Sequence, residues 1–119
     1  MVPPDDERPY HHGDLPNALR AAAADLIAER GVSGFSLREV ARRAGVSHAA
    51  PTHHVGDARG LLTSLAVEGF RHLDTALAAA VAGVDDPIDQ LARTGRAYVD
   101  VARSSPGHCA VMFRHDLLD

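Results

Sequence analysis

Tryptophan is absent from this 119-residue chain, aromatic residues make up only 4% of it, and cysteine occurs once, as Cys109. A single thiol excludes an intramolecular disulfide and gives no sign of an oxidising compartment. With so few rings, any core has to be packed from aliphatic side chains, which a 45% hydrophobic content rich in alanine supplies. No apolar run approaches the ~18–20 residues that span a bilayer, and the opening MVPPDDERPYHH is polar and acidic rather than a signal peptide. The chain therefore reads as cytoplasmic, with no membrane partner. Glycine-rich phosphate loops, internal repeats, low-complexity tracts and strand-period alternation are also missing. An enzyme has little support. Ser104, Ser105, His108 and Cys109 are neighbours in sequence, but Ser-Ser-Pro is explained as a helix start, and no third group orients a nucleophile and its base. No catalytic residue and no cofactor are expected, and Cys109 reads as a small residue on an apolar segment.

The most informative stretch is Ser36 to Val55, SLREVARRAGVSHAAPTHHV. Ser36 with Glu39 three residues on is a capping box, in which each side chain can satisfy the other's free N–H. Leu37, Val40, Ala41 and Ala44 then form one apolar face, and Gly45 can take the left-handed conformation that ends a helix. Val46 offers an apolar plug. Ser47 is a plausible cap for a second helix of about His48 to His54, with Pro51 in its first turn and small Ala49 and Ala50 allowing close packing. Two short helices joined by a tight turn are the layout of a helix-turn-helix DNA reader; a helical hairpin of any α-helical domain would read similarly.

After this motif, Asp57 caps a long helix carrying Leu61, Leu62, Leu65, Ala66, Phe70, Leu73, Leu77 and Ala80 at helical spacing, which the pattern carries to about Ala82. Gly83 to Pro87 breaks it, with Asp86 capping the next helix and Pro87 in its first turn. That helix places Ile88, Leu91, Ala92, Gly95, Tyr98, Val99 and Ala102 on one side. A final segment, Pro106 to Leu118, contains Cys109, Val111, Met112 and Phe113. Residues 1–9 read as a disordered acidic arm.

The run from Tyr10 to about Leu73 resembles the N-terminal domain of tetracycline-repressor-type (TetR family) transcriptional regulators. Ala-Glu-Arg-Gly at 28–31, Phe35 to Ala41, Ala44-Gly45-Val46-Ser47, and Asp57 with Leu61 and Leu62 carry the resemblance. It implies an all-α fold: a three-helix DNA-binding domain over 10–56, then over 57–119 a long linking helix and the first helices of an incomplete effector-binding and dimerisation domain. The function implied is a repressor that binds a palindromic operator in double-stranded DNA as a homodimer and is released by a small-molecule effector.

On that reading Ser47, His48, Thr52 and His53 hydrogen-bond to bases or phosphates, and Ala49 and Ala50 meet thymine methyls. Arg42, Arg43 and Arg59 suit phosphates, with Arg38 beside them. The charge pattern agrees in sign. The net charge is −4, yet Ser36 to Arg59 holds four arginines against Glu39 and Asp57, while Gly60 onward holds five against eight acids. Arg38, Arg42 and Arg43 also fit the solvated face of an amphipathic helix. Tyr98, Met112 and Phe113 are candidates for one wall of an effector pocket, although plain core is the commoner role for such residues.

Three positions depart from the family. Thr52 and Val55 stand where aromatic residues are usual, and Ala58 where a lysine is usual, so weaker phosphate contact is expected. The eight histidines, including His11-His12, His48 and His53-His54, raise a second reading, a metal-responsive regulator. Adjacent histidines on a helix point about 100° apart and no acid or cysteine completes a set, so no metal site is assigned. A third reading is a helical binding module of this family that no longer reads DNA.

Overall fold

In the computed structural model, which describes residues 14–50 and 56–119, the chain is all-α. Five α-helices lie among the described residues: α1 (Leu15–Arg30), α2 (Leu37–Ala44), α3 (Ala58–Val81), α4 (Pro87–Ser104) and α5 (Pro106–Met112). Single 3-10 turns at Val32–Gly34 and His115–Leu117 complete the regular structure, and there is no strand among these residues. The acidic arm and Pro51 to Val55 lie outside the described residues.

The helix ends follow local chemistry. Ser36 Oγ accepts the Glu39 N–H at 3.2 Å, Asp57 Oδ1 that of Gly60 at 2.8 Å, and Asp86 Oδ2 that of Asp89 at 2.9 Å. Gly45 ends α2 at φ 75°, ψ 31°, and Gly31 ends α1 at φ 76°, ψ 172°, a region open to glycine and strained for other residues. The capping box is only half made. Glu39 does not return to the Ser36 N–H but turns its carboxylate to Arg42, because a charge-assisted pair outcompetes a neutral N–H donor.

The core is aliphatic. Leu15, Leu19, Ala22, Ala23, Leu26 and Ile27 of α1 pack against Val40 of α2, Leu61, Leu62, Leu65 and Ala66 of α3, and Val111 of α5. Two glycines allow helices to meet closely at this core. A Cβ on Gly107 would lie 2.1 Å from the Ala24 carbonyl oxygen, so α5 rests directly on the backbone of α1. A Cβ on Gly69 would lie 2.6 Å from Met112 Sδ, which seats α5 on α3 as well.

A polar bridge crosses the same three helices. Glu68 Oε1 lies 2.8 Å from His108 Nε2, Glu68 Oε2 accepts from Arg20 Nε at 3.2 Å, and Arg20 Nη1 donates to Ser64 Oγ at 3.1 Å. Partial burial alone would raise the Glu68 pKa, but the hydrogen bonds from His108 and Arg20 outweigh it and hold the carboxyl below its ordinary value. The stability this lowered pKa contributes is present above the carboxyl's unfolded pKa and is lost as pH falls through the folded one. Urea midpoints are therefore expected to place Glu68→Gln below the parent by about 1 kcal/mol at pH 7, allowing for partial exposure. The gap should close as pH falls below about 4.5, the ordinary carboxyl value. A gap that stays constant from pH 7 to 3.5 would refute the ionic account.

The orientation of α4, which its periodicity left open, bears on function. Its half-buried residues are Gln90, Thr94, Ala97 and Val101 with Ala102, whereas Ile88, Leu91, Ala92, Gly95, Tyr98 and Val99 are exposed. The apolar stripe is real but points to solvent. Gln90 Nε2 donates to the Val84 carbonyl at 2.6 Å, tying the polar side of α4 to the turn after α3.

Candidate nucleic-acid interface

The reader begins where α2 ends. Gly45 N–H and Val46 N–H close on the last carbonyls of α2, Val46 is half-buried against the core, and the chain emerges with Ser47, His48 and Ala49 exposed. Helical backbone resumes at Ala50, whose N–H donates to the Ser47 carbonyl at 3.1 Å. This start lies two residues later than the sequence suggests, because the i→i+3 bond makes positions 48 and 49 a turn. Ala50 is half-buried against the core, so its small side chain serves close packing, and Ala49 is the alanine turned outward. Thr52 and His53 lie outside the described residues.

The arginines divide by partner. Arg38 is exposed and has no hydrogen-bond or ion-pair partner among the described residues. Arg42 is exposed and clasps Glu39 on its own helix, which lowers the Glu39 pKa and raises that of Arg42. Arg43 is drawn inward: Nη1 and Nη2 donate to the two oxygens of Glu29 at 2.9 and 2.7 Å, and Nε faces Glu39 at 3.7 Å without a hydrogen bond. Its bidentate hold lowers the Glu29 pKa and raises that of Arg43, and it fixes the end of α2 to the end of α1. Arg59, in the first turn of α3, donates to the carbonyls of Asp116 and Leu118.

Sequence position did not separate these roles, since Arg42 and Arg43 are neighbours. Helical phase does not separate them fully either: at about 100° per residue Arg42 lies farthest from the apolar face, while Arg38 and Arg43 flank it equally on opposite sides.

The three pocket candidates are not drawn together on one cavity wall. Met112 is 2% exposed and packs at Gly69 as core. Phe113 is half exposed and meets Phe70 edge to face, with ring centroids 5.3 Å apart, and Tyr98 stands on the outward stripe of α4. A groove of about 480 Å³ between α1 and α3 is lined instead by polar groups, including Asn17, Arg20, Ser64, Glu68 and His72. Among the described residues no group of three or more His, Cys, Asp or Glu is placed to hold a metal ion, and no helix is long and apolar enough to cross a membrane. Of the reader histidines, His48 is exposed, while His53 and His54 lie outside the described residues.

Comparison with known proteins gives three findings. The family of bacterial regulatory proteins described as tetR matches residues 19–65, which covers α1 from Leu19 onward, α2, the reader and the first turns of α3. Among solved structures, a protein of unknown function from a Rhodococcus species is similar at 42% identity and a TM-score of 0.73, over 88% of this chain and 55% of its own. The TetR family transcriptional regulator PfmR from Thermus thermophilus is similar at 26% identity and a TM-score of 0.72, over 87% of this chain and 55% of its own. The chain thus spans about half the length of these solved structures. No curated protein matches it.

Proposed function

The chain belongs to the tetR family of bacterial regulatory proteins, and from that premise we propose that it is a transcriptional regulator whose α2–reader unit docks in the major groove of operator DNA. The observation that carries this reading is the exposed ridge Ser47, His48 and Ala49, held at a fixed angle by the Arg43–Glu29 pair and flanked by Arg38, which has no partner among the described residues. In this reading Ser47, His48, Thr52 and His53 approach base edges or phosphates and Ala49 approaches a thymine methyl, while Arg38 and Arg42 face phosphates. Arg43 acts as a positioning residue, because its guanidinium is committed to Glu29.

The dimer, the palindromic site, the repressor role and the effector belong to the same proposal. Its support is the outward apolar stripe of α4, a surface that a second copy or further helices would cover. A helix bearing Leu91 at 69% and Ile88 at 74% exposure is an unfinished face of the 57–119 region.

Selection from randomised duplex DNA at low salt, with a chelator present, tests this reading. A palindromic site should be enriched and then lost with His53→Ala. Arg38→Ala should weaken binding to every sequence about equally and lower the salt slope by about 1. Folded protein that enriches nothing would overturn DNA reading and favour the binding-module alternative, and enrichment only after metal is restored would favour the metal-responsive one. Thr52→Tyr combined with Ala58→Lys should tighten binding in a salt-dependent way, as measured by fluorescence anisotropy. Unchanged affinity would show those contacts to be misplaced.

A further inference from the structure

The segment after α5 lies across the start of α3, the helix that follows the reader in sequence. Its 3-10 turn, His115–Leu117, brings the Asp116 and Leu118 carbonyls onto Arg59: Nη2 donates to Asp116 at 3.2 Å and Nη1 to Leu118. Arg59 Nε lies 4.0 Å from the Asp119 carboxylate. One turn further along α3, Thr63 Oγ1 accepts the Asp119 N–H at 2.9 Å. Leu117 and Leu118 pack against the core beneath these bonds. Asp116 is paired with Arg114 through two hydrogen bonds of 3.0 and 2.8 Å, so its carboxylate stays beside Arg59 without binding it. A half-exposed basic side chain in the first turn of α3 is therefore already engaged through two hydrogen bonds, and from the half of the molecule that carries α5.

We propose that this clasp is an autoinhibitory contact: residues 116–119 hold the Arg59 guanidinium and must release it before it can bind a nucleic-acid phosphate. The inference rests on the DNA-reading proposal above. The exchange is physically reasonable in that direction. The clasp offers Arg59 two uncharged carbonyls and a carboxylate at the limit of ion-pair distance, whereas a phosphate meets the guanidinium with full opposite charge and can accept two parallel N–H bonds from it. Phosphate and clasp compete for one fork of donors, so DNA weakens the clasp. By reciprocity, anything that tightens the clasp lowers DNA affinity by the same factor. Because the clasping segment continues directly from α5, which is seated on α1 and α3 through Gly107 and Gly69, a shift of α5 reaches Arg59 through the backbone.

The test uses the full chain and a short fluorescent duplex of random sequence at low salt. Thr63→Val removes the acceptor that holds Asp119 and leaves the Arg59 partners in place, and Asp119→Pro removes both the donor and the carboxylate that faces Arg59 Nε. Each should tighten duplex binding about two- to tenfold, the range to which one neutral hydrogen bond converts. Adding Arg59→Gln should erase the gain and lower the salt slope by about 1. Amide exchange at Leu117, Leu118 and Asp119 should quicken when parent protein is saturated with duplex. Unchanged affinity in both clasp variants, with Leu117 and Leu118 exchange raised to show the clasp open, overturns the inference and leaves DNA reading intact. Failure of parent and variants alike to bind duplex overturns both.

Discussion

Gly107→Ala is expected to destabilise the fold by about 2–3 kcal/mol, the upper part of the range for forcing extra volume into a packed site. Two effects oppose each other. Alanine in place of glycine within a helix gains roughly 0.5–1 kcal/mol of propensity and unfolded-state entropy. Against this, the added Cβ would lie 2.1 Å from the Ala24 oxygen, 2.8 Å from its carbonyl carbon and 2.9 Å from its Cα, all backbone atoms that cannot rotate away. The clash wins because only a shift of α5 off α1 relieves it, and that shift also strains the Glu68–His108 bond and the burial of Val111 and Met112. Gly95→Ala is the matched control. Nothing lies within 4 Å of a Cβ at Gly95, so there the propensity term acts alone and the variant should be slightly more stable than the parent. Thermal melts of the two variants should move in opposite directions, with the Gly107 change lowering the midpoint by roughly 10 °C. A Gly107→Ala protein that melts with the parent would show that α5 does not sit on α1.

Truncating Leu65 to alanine should be comparably damaging, at about 3 kcal/mol within the roughly 2–5 kcal/mol range for fully buried leucines. Leu65 is 0% exposed at the centre of the α3 face that meets α1, and its neighbours Leu19, Leu26 and Leu61 are equally enclosed, so the cavity has little means of collapsing. Leu91→Ala is the same chemical change at a position 69% exposed. It should leave urea unfolding of dilute protein unchanged, because there is little buried area to lose. Repeating the pair at high protein concentration makes the comparison informative about assembly. If the outward stripe of α4 packs against a second copy, Leu91→Ala becomes destabilising only as concentration rises, since association adds to stability by mass action. A large Leu91 effect at every concentration would contradict the orientation of α4.

The legibility of this chain varied with the range of the interaction concerned. Ser36, Asp57 and Asp86 each cap a helix by bonding an N–H three residues on, and Gly31 and Gly45 end helices through their own φ. Such features depend on a few consecutive residues, so the boundaries of α1 to α4 are written locally. The direction in which the apolar side of α4 faces was not legible, for the converse reason. Periodicity shows that Ile88, Leu91, Gly95 and Tyr98 share a side, but not whether that side meets α3 or solvent. Gln90 and Thr94 occupy the inner side through contacts that no local pattern announces.

The arginines repeat the lesson at the candidate site. All of the candidate arginines carry the same charge, and composition treats them alike. Arg43 finds Glu29 fourteen residues back, and Arg59 finds Asp116 and Leu118 more than fifty residues on, while Arg38 finds no partner among the described residues. By itself the sequence determined an all-α chain and the caps and breaks that bound α2, α3 and α4. Those follow from caps, turns and periodicity acting within a few residues. Tertiary structure alone decided how each described arginine is engaged, which way α4 faces and how closely α5 approaches α1. Each of these depends on which distant side chain or carbonyl arrives at a given point once the helices pack.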